Sequence, residues 1–502
     1  MERTKWENRF VLLRFWKKNY MMFLKDLKRF KMERLYDKLK AYSESDFYAF
    51  HMPGHKRNKT LLGIELPYDL DITEIDGFDD LHHADGILKE EQERAARVFG
   101  AEESHFLVNG STAGILSAVM GCTHRGDKIL VARHCHKSIY HAIYMNGLVP
   151  RYVYPEFDIS MHMNGEISKE DVAKALAAEP DIKAVVIVSP NYDGVVSDVK
   201  GIAEVAHSYR IPLIVDEAHG PHFGFHPAFP GRANDLGADV VINSLHKTLP
   251  SLTQTAILHI NGKLANRRRI KKYLDMLQSS SPSYIFMASL DACVDFVDGK
   301  CEEAFELYVE RLQKFREELK PLQHLQILRT EHYDISKVVI STANANITSP
   351  ELADRLRKEY HLEMEMTGGT YVLAMTTVAD TQEGLDRLKS ALLEIDDQLE
   401  AKTAVSGSIE ISGELPRLEQ YFTPQEAADR EEDGEAEEIP WKESEGHISL
   451  EYAYLYPPGS PVIVPGERIS REAVELLCYY ETQNLQIEGI QTEGKIKVWK
   501  HE

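Results

Sequence analysis

Asn243-Ser244-Leu245-His246-Lys247-Thr248 follows a short run, Ala238-Asp239-Val240-Val241-Ile242, that is mostly apolar and β-branched and reads as a buried strand. Such a strand delivers an amine to the lip of a sheet, beside a hydroxyl and an imidazole. Upstream, the apolar strand Ile211-Pro212-Leu213-Ile214-Val215 ends in Asp216-Glu217-Ala218-His219. A lysine, a carboxylate and a hydroxyl at the ends of two strands suit pyridoxal phosphate. The lysine forms the Schiff base, the aspartate pairs with the pyridinium nitrogen and the hydroxyl meets the phosphate. Lys247 alone reads more readily as a solvated loop residue; the pairing with Asp216 evens the two readings, and the elements upstream decide between them.

Those elements alternate. His105 to Val108 is a short strand, followed by Asn109-Gly110-Ser111-Thr112-Ala113-Gly114 and the helix Ile115 to Gly121. Gly110 permits a tight turn, and Ser111 or Thr112 can cap the helix, whose first free N–H groups then face any bound anion. Strand Lys128 to Ala132 leads to Arg133-His134-Cys135-His136-Lys137-Ser138, where His136 is placed to stack on an aromatic ring. Strand Ala184 to Val188 and helix Val199 to Tyr209 bring the chain to the Asp216 strand. Polar residues repeatedly placed just after strands predict a mostly parallel, doubly wound α/β sheet with ligands at the strands' carboxyl ends. Neither GxGxxG nor GxxxxGK[ST] is present, so nucleotide-binding signatures give no support. The histidine pairs at His51/His55 and His82/His83 lack a recognised ligand spacing, so no metal is expected.

Beyond residue 260 the pattern changes. Asn266 to Leu277 is a basic helix, and one long amphipathic helix is predicted from Ala288 to about Leu319. Strands near Val338 to Ser341 and Tyr371 to Met375 flank a helix at Ser349 to Tyr360, the α+β makeup of a small second domain. The acidic stretch Glu426 to Glu445 reads as a solvated helix and loop. Tyr456 to Glu467 holds four prolines and two glycines, which predicts a rigid extended path rather than a strand. The expected organisation is a basic extension (1–31), an N-terminal segment (32–95), a large cofactor-binding domain (96–300), a small α+β domain (301–400) and a C-terminal α+β domain (401–502).

The 502 residues are 43% hydrophobic and 27% charged, with a net charge of −22. That composition is globular, its sign argues against a nucleic-acid partner, and it attracts cationic substrates. Five cysteines without metal spacing read as reduced thiols of a cytoplasmic protein, and no apolar run is long enough to span a bilayer. The first 31 residues carry ten Lys or Arg against three acids. Their broken apolar pattern is not that of a signal peptide. It leaves an accessory helix, upstream sequence before a start at Met32, or a membrane-surface helix open.

Several stretches together resemble one family, the bacterial, fold-type-I, pyridoxal-phosphate-dependent ornithine, lysine and arginine decarboxylases. They are Phe50-His51-Met52-Pro53-Gly54-His55-Lys56, Asn109-Gly110-Ser111-Thr112, His134-Cys135-His136-Lys137-Ser138, Asp216-Glu217-Ala218-His219-Gly220, Ser244-Leu245-His246-Lys247 and Tyr456-Pro457-Pro458-Gly459. The resemblance implies that Lys247 carries the cofactor, Asp216 pairs with its ring nitrogen and His136 stacks on its face. Ser111, Thr112, Ser244 and His246 surround the phosphate, and Ala218 belongs to the same cofactor shell. Lys247 or His219 returns the proton to the substrate's α-carbon. With about fifty residues before His51, the chain looks like the short, wingless form. This implies a homodimer or homotetramer and a small-molecule basic amino acid as substrate, arginine favoured over lysine and ornithine. Transamination or β-elimination on the same fold is the alternative chemistry, although neither Arg468 nor Arg471 is recommended as a carboxylate clamp. A silent regulatory homologue is disfavoured by the joint presence of Lys247, Asp216 and Ser244.

Overall fold

A computed structural model describes residues 34–500 apart from 160, 162, 402–413, 456–458 and 483–484. The basic stretch 1–31 lies outside the described residues, as does Tyr456-Pro457-Pro458.

Seven strands form the central sheet: β1 (Glu103–Leu107), β2 (Lys128–Ala132), β3 (Val149–Val153), β4 (Val185–Val188), β5 (Leu213–Asp216), β6 (Val240–Asn243) and β7 (Ala256–Ile260), in the order β1-β7-β6-β5-β4-β2-β3. Neighbours from β3 to β6 run parallel, whereas β7 is antiparallel to both β6 and β1. Every residue of β4, β5, β6 and β7 is buried. That is why these strands read as continuous apolar runs without alternation: helices cover both faces.

The helix α1 (Leu35–Ser43) and the helix α2 (Ile87–Val98) share a core with the large domain, where Leu35, Leu39 and Leu88 pack in one cluster with Phe106, Ile257 and Tyr284. Helix α3 (Gly110–Cys122) crosses the sheet so closely that a Cβ at Gly114 would lie 2.5 Å from Leu107 Cδ1 and 3.4 Å from Ile242 Cγ2. α3 is therefore pinned with its N-terminus at the carboxyl ends of the central strands. Helices α4 (Lys137–Met145), α5 (Lys169–Ala178) and α6 (Val199–Ser208) complete the alternation, and the single turn α7 (Leu245–Thr248) follows β6 directly. The basic helix is α8 (Arg267–Leu277), with Asn266 as its N-cap.

The long helix expected from Ala288 to Leu319 is two helices, α9 (Tyr284–Val297) and α10 (Glu302–Glu318). Gly299, at φ +81°, sits in the break, where no L side chain continues a helix. Helix α10 joins two cores: Phe305 and Tyr308 pack with the large domain, and Phe315 with the small one. The second sheet is antiparallel and four-stranded: β8 (Gln326–Leu328), β9 (Lys337–Ser341), β10 (Met366–Thr367) and β11 (Tyr371–Met375), ordered β8-β9-β11-β10. The helix α11 (Ser349–Tyr360) and the helix α12 (Gln382–Asp396) contribute Leu352, Leu356, Leu388 and Leu392 to its core.

The C-terminal part corrects two expectations. Within the acidic stretch, helix α13 (Pro424–Glu432) is followed by a strand, Ala436–Pro440, paired antiparallel with Lys495–Trp499. It lies at the surface, so its acids point to water and its period is hidden by charge. The proline segment also contains a strand, Pro461–Ile463, paired with Ala453–Leu455; proline is tolerated at a strand's first position, where its missing N–H interrupts little. Helix α14 (Arg471–Thr482) closes this part over Trp441, Ile463 and Val498.

A buried ion pair binds the C-terminal part to the large domain. Arg133, fully buried, donates to the Val462 carbonyl and to Glu467 Oε2, each at 3.0 Å, and to Tyr140 Oη at 3.1 Å. Next to it Ser460 Oγ donates to the His134 carbonyl at 2.7 Å, and the Lys137 amide donates to the Gly459 carbonyl at 3.1 Å. Among the described residues no helix is long and apolar enough to cross a membrane. Glu467→Ala would leave the Arg133 guanidinium buried without its counter-charge, a change that costs about 3–5 kcal/mol. The expected outcome is a clearly lowered thermal midpoint, read by scanning calorimetry, with an unchanged midpoint contradicting the ion pair as a clamp.

Candidate active site

At the carboxyl ends of β4, β5 and β6 lies a cavity of ≈ 420 Å³. Parallel pairing sets Val188 beside Asp216 and Asp216 beside Ile242, so Asp216, the last residue of β5, stands next to the exit of β6, which turns at once into α7. Lys247 lies within that turn. Ser111, Thr112, His136, Asp216, Ala218, His219, His246 and Lys247 all line the one cavity. The sequence-predicted site is thus drawn from four separate stretches into one place. Ser244 is different. It is fully buried and not among the residues lining the cavity, and its Oγ has no hydrogen-bond partner.

Each side chain is fixed by a local contact. Asp216 is buried, and its Oδ1 accepts from the Ala218 amide at 3.2 Å. Burial raises the carboxyl's pKa, which the Lys247 charge and the Ala218 amide partly offset. Burial pushes the Lys247 amine below the ordinary lysine range, against the opposing pull of Asp216 and Glu365. Lys247 Nζ is 2.9 Å from His219 Nε2. His219 is held well below its ordinary range by burial, then by Lys247 and Lys337, so its ring is neutral. His136 is pushed down to about 4, by burial first and the Lys247 charge second, and its Nδ1 accepts from the Ser138 amide at 3.2 Å. His246 Nδ1 donates to the Thr255 carbonyl at 2.8 Å; being acceptor-only, that partner leaves Nε2 of the neutral ring as an acceptor.

The opposite end of the cavity is built for an anion. Gly110, at φ +74°, starts α3, and Asn109 makes no side-chain cap there because its Oδ1 accepts from the Ser279 amide at 3.2 Å. The Gly110 amide donates to the Gln254 carbonyl at 3.0 Å, and the next N–H groups of the first turn, at the positive end of a thirteen-residue helix, remain for a ligand.

Residues that the sequence did not single out also reach the cavity. Tyr192 and Asp193 arrive from the loop after β4, Gln254 from before β7, and Ser460 from the C-terminal part. The Tyr192 ring lies 4.6 Å from that of His219. Asp193 is buried, accepts from Tyr371 Oη at 2.6 Å, and is raised by burial to about 6. Position directly after a strand was the available signal for Tyr192 and Asp193; Ser460 had only its place in the proline segment.

This residue set fits pyridoxal phosphate: an amine of lowered basicity, a buried carboxylate facing the same space, an uncapped helix N-terminus and a buried hydroxyl without a partner. A mainly parallel sheet carrying such a lysine after one strand and such an aspartate at the end of its neighbour is fold type I, the architecture of one large class of pyridoxal-phosphate enzymes. The comparisons agree. Residues 33–351 match the Orn/Lys/Arg decarboxylase major domain and residues 413–494 match the C-terminal domain of the same family. The chain is 33% identical to an arginine decarboxylase of Bacillus subtilis over 471 residues, covering 91% of this chain and 95% of that protein. It is 25% identical to the lysine decarboxylase LdcA of Pseudomonas aeruginosa, covering 86% of this chain and 73% of that one. In fold it is similar to the lysine decarboxylase LdcF of Francisella novicida, with a TM-score of 0.79 at 20% identity, covering 96% of this chain and 84% of that one. The chain belongs to the Orn/Lys/Arg decarboxylase family, and its reaction is the decarboxylation of a basic amino acid.

Because the Ser244 hydroxyl has no protein partner to lose, Ser244→Ala should leave the thermal midpoint of the cofactor-free protein unchanged. The midpoint gain produced by saturating inorganic phosphate should shrink. An undiminished gain would place Ser244 outside the anion site.

Proposed function

We propose that this chain is an arginine decarboxylase that carries pyridoxal phosphate on Lys247. The observation supporting this most directly is the convergence of Lys247, Asp216 and the uncapped N-terminus of α3 on one cavity. When bound, pyridoxal phosphate supplies an electron sink for the pair left on the α-carbon as CO₂ departs. The protein's part follows from its own groups. Burial lowers the basicity of the Lys247 amine, which favours its nucleophilic, unprotonated form. The Asp216 carboxylate would hold the cofactor's ring nitrogen protonated, Ala218 and His136 would flank the ring, and Ser111, Thr112 and Ser244 would take the phosphate, with His246 donating from Nε2 once that anion protonates it. Ile115 and Val188 give the cavity apolar wall, which favours departure of a carboxylate whose charge disperses. His219 and Lys247, 2.9 Å apart, are the groups that can hold the proton returned to the α-carbon.

Charge at the cavity's small-domain side supports a cationic substrate. Asp193 lines the wall, and Glu365, which accepts from Tyr192 Oη, acts electrostatically on Lys247. Arginine is preferred over lysine because the arginine decarboxylase matches over nearly its whole length, whereas the lysine decarboxylases are longer proteins. A homodimer or homotetramer belongs to the same reading and is supported by the exposed apolar residues Phe47, Tyr48, Phe50 and Met52; sedimentation velocity tests it. So does a cytoplasmic location, consistent with five unpaired cysteines.

A panel of arginine, lysine and ornithine, with CO₂ release and amine product measured, should give the highest kcat/KM for arginine; preference for lysine or ornithine would overturn the substrate assignment. Lys247→Ala should fold and lose turnover. Asp216→Asn should fold and lose at least ~100-fold in kcat at saturating cofactor, as loss of a preorganised electrostatic partner does. A loss below about threefold, roughly 0.7 kcal/mol, would remove Asp216 from the ring nitrogen.

A further inference from the structure

A second buried lysine faces the site. Lys337, the first residue of β9 in the small domain, is fully buried. Room for its stem comes from Gly194, at φ +104°, where a Cβ would lie 2.7 Å from Lys337 Cγ. Lys337 Nζ is 3.4 Å from His219 Nδ1, while Nε2 of the same ring is 2.9 Å from Lys247 Nζ. One imidazole therefore stands between the two amines, one from each domain.

The chemistry of that chain is restrictive. A neutral imidazole donates from one nitrogen and accepts at the other, and an ammonium only donates. Two ammonium groups cannot both be satisfied by the ring, so one amine must be unprotonated. The groups facing Lys337 are Asp334, Asp193, Glu365, His219 and Lys247. Burial lowers the basicity of both amines, but only Lys247 has to be free to react, and the carboxylate kept anionic at Asp334 stands beside Lys337, so the productive state carries its charge on Lys337. The groups facing His219 are Lys247, Lys337, His136, His246 and the Tyr192 ring, and none carries negative charge that would favour an imidazolium. Lys337 then donates to Nδ1, the ring's proton sits on Nε2, and Nε2–H donates to Lys247 as a free amine.

We propose that Lys337 is a positioning residue that acts through His219, fixing its Nε2–H tautomer and so holding Lys247 as the unprotonated amine. The same chain can pass a proton. His219 Nε2–H goes to Lys247 as Nδ1 takes one from Lys337, leaving Lys247 an ammonium, Lys337 an amine and the ring neutral in its other tautomer. This inference rests on Lys247 being the cofactor lysine.

The test follows the appearance of the visible cofactor band when cofactor-free protein is mixed with pyridoxal phosphate across a pH series, with thermal midpoints recorded in parallel. Lys337→Met removes the charge and the donor and should shift the pH midpoint of band formation up by about one unit, making the reaction about tenfold slower at pH values well below that midpoint. The full band should still form at high pH. Lys337→Arg retains a donating cation and should keep the wild-type midpoint. A folded Lys337→Met protein with the wild-type midpoint overturns the proposal. If neither variant folds, the ¹⁵N resonances of His219 in the wild-type protein decide it: a protonated Nε2 is expected, and a protonated Nδ1 overturns it. Absence of any band in the wild type would instead be failure of the Lys247 assignment, with the His219 tautomer still deciding the positioning claim.

Discussion

The structure depends on keeping an amine and a carboxylate out of water, side by side, at the carboxyl ends of two neighbouring parallel strands. Removing such charges from solvent carries a penalty of several kcal/mol per ion, so the pair persists only if the surroundings over-determine it. The sheet does so through register: Asp216 ends β5 opposite Ile242 of β6, and the turn after β6 has nowhere to place Lys247 but the same cavity. Burial shifts the amine toward its neutral form and the carboxyl toward higher pKa, and their mutual attraction limits both shifts. Desolvation thereby lowers the amine's basicity, with no specialised residue type required.

Other parts of the fold serve that pair. Gly114 lets α3 lie close on the sheet, which aims its N-terminal N–H groups at the cavity's far end. The Arg133–Glu467 ion pair ties the C-terminal part to the loop after β2, so that Ser460 and His136 keep their positions together. The small domain approaches through Tyr371 on Asp193, the Asp334 amide on the Gly194 carbonyl at 2.8 Å, and His222 Nε2 on Asp334 Oδ1 at 3.1 Å. Burial would raise Asp334, but His222 and Lys337 bring it down to about 2, so it stays anionic beneath the site.

The parallel sheet was legible because β4 to β7 are buried on both faces and therefore read as unbroken apolar runs. Lys247 and Asp216 were legible because each stands at or just after the end of such a run, and the Gly110 turn because it follows the shorter strand β1. The break between α9 and α10 was not, since Phe305 and Tyr308 continue an apolar stripe through Gly299 and the periodicity carries across it. The strand at Pro461–Ile463 was masked by its proline, and that at Ala436–Pro440 by its acids. Lys337 gave only a faint signal, a charge heading an otherwise apolar strand. Its contact with His219 spans 118 residues of sequence, and no local pattern encodes a contact of that kind. Ser244 shows the converse: its spacing from Lys247 was legible, but its full burial and unpartnered hydroxyl emerge only from the packing.

The central claim is that Lys247 is the amine that bonds the cofactor. Reducing the cofactor-loaded protein with borohydride, digesting it and locating the pyridoxyl group by mass spectrometry tests this most directly. The account predicts a single modified peptide containing Lys247, with Lys337 unmodified; label on Lys337, or none on Lys247, would contradict it.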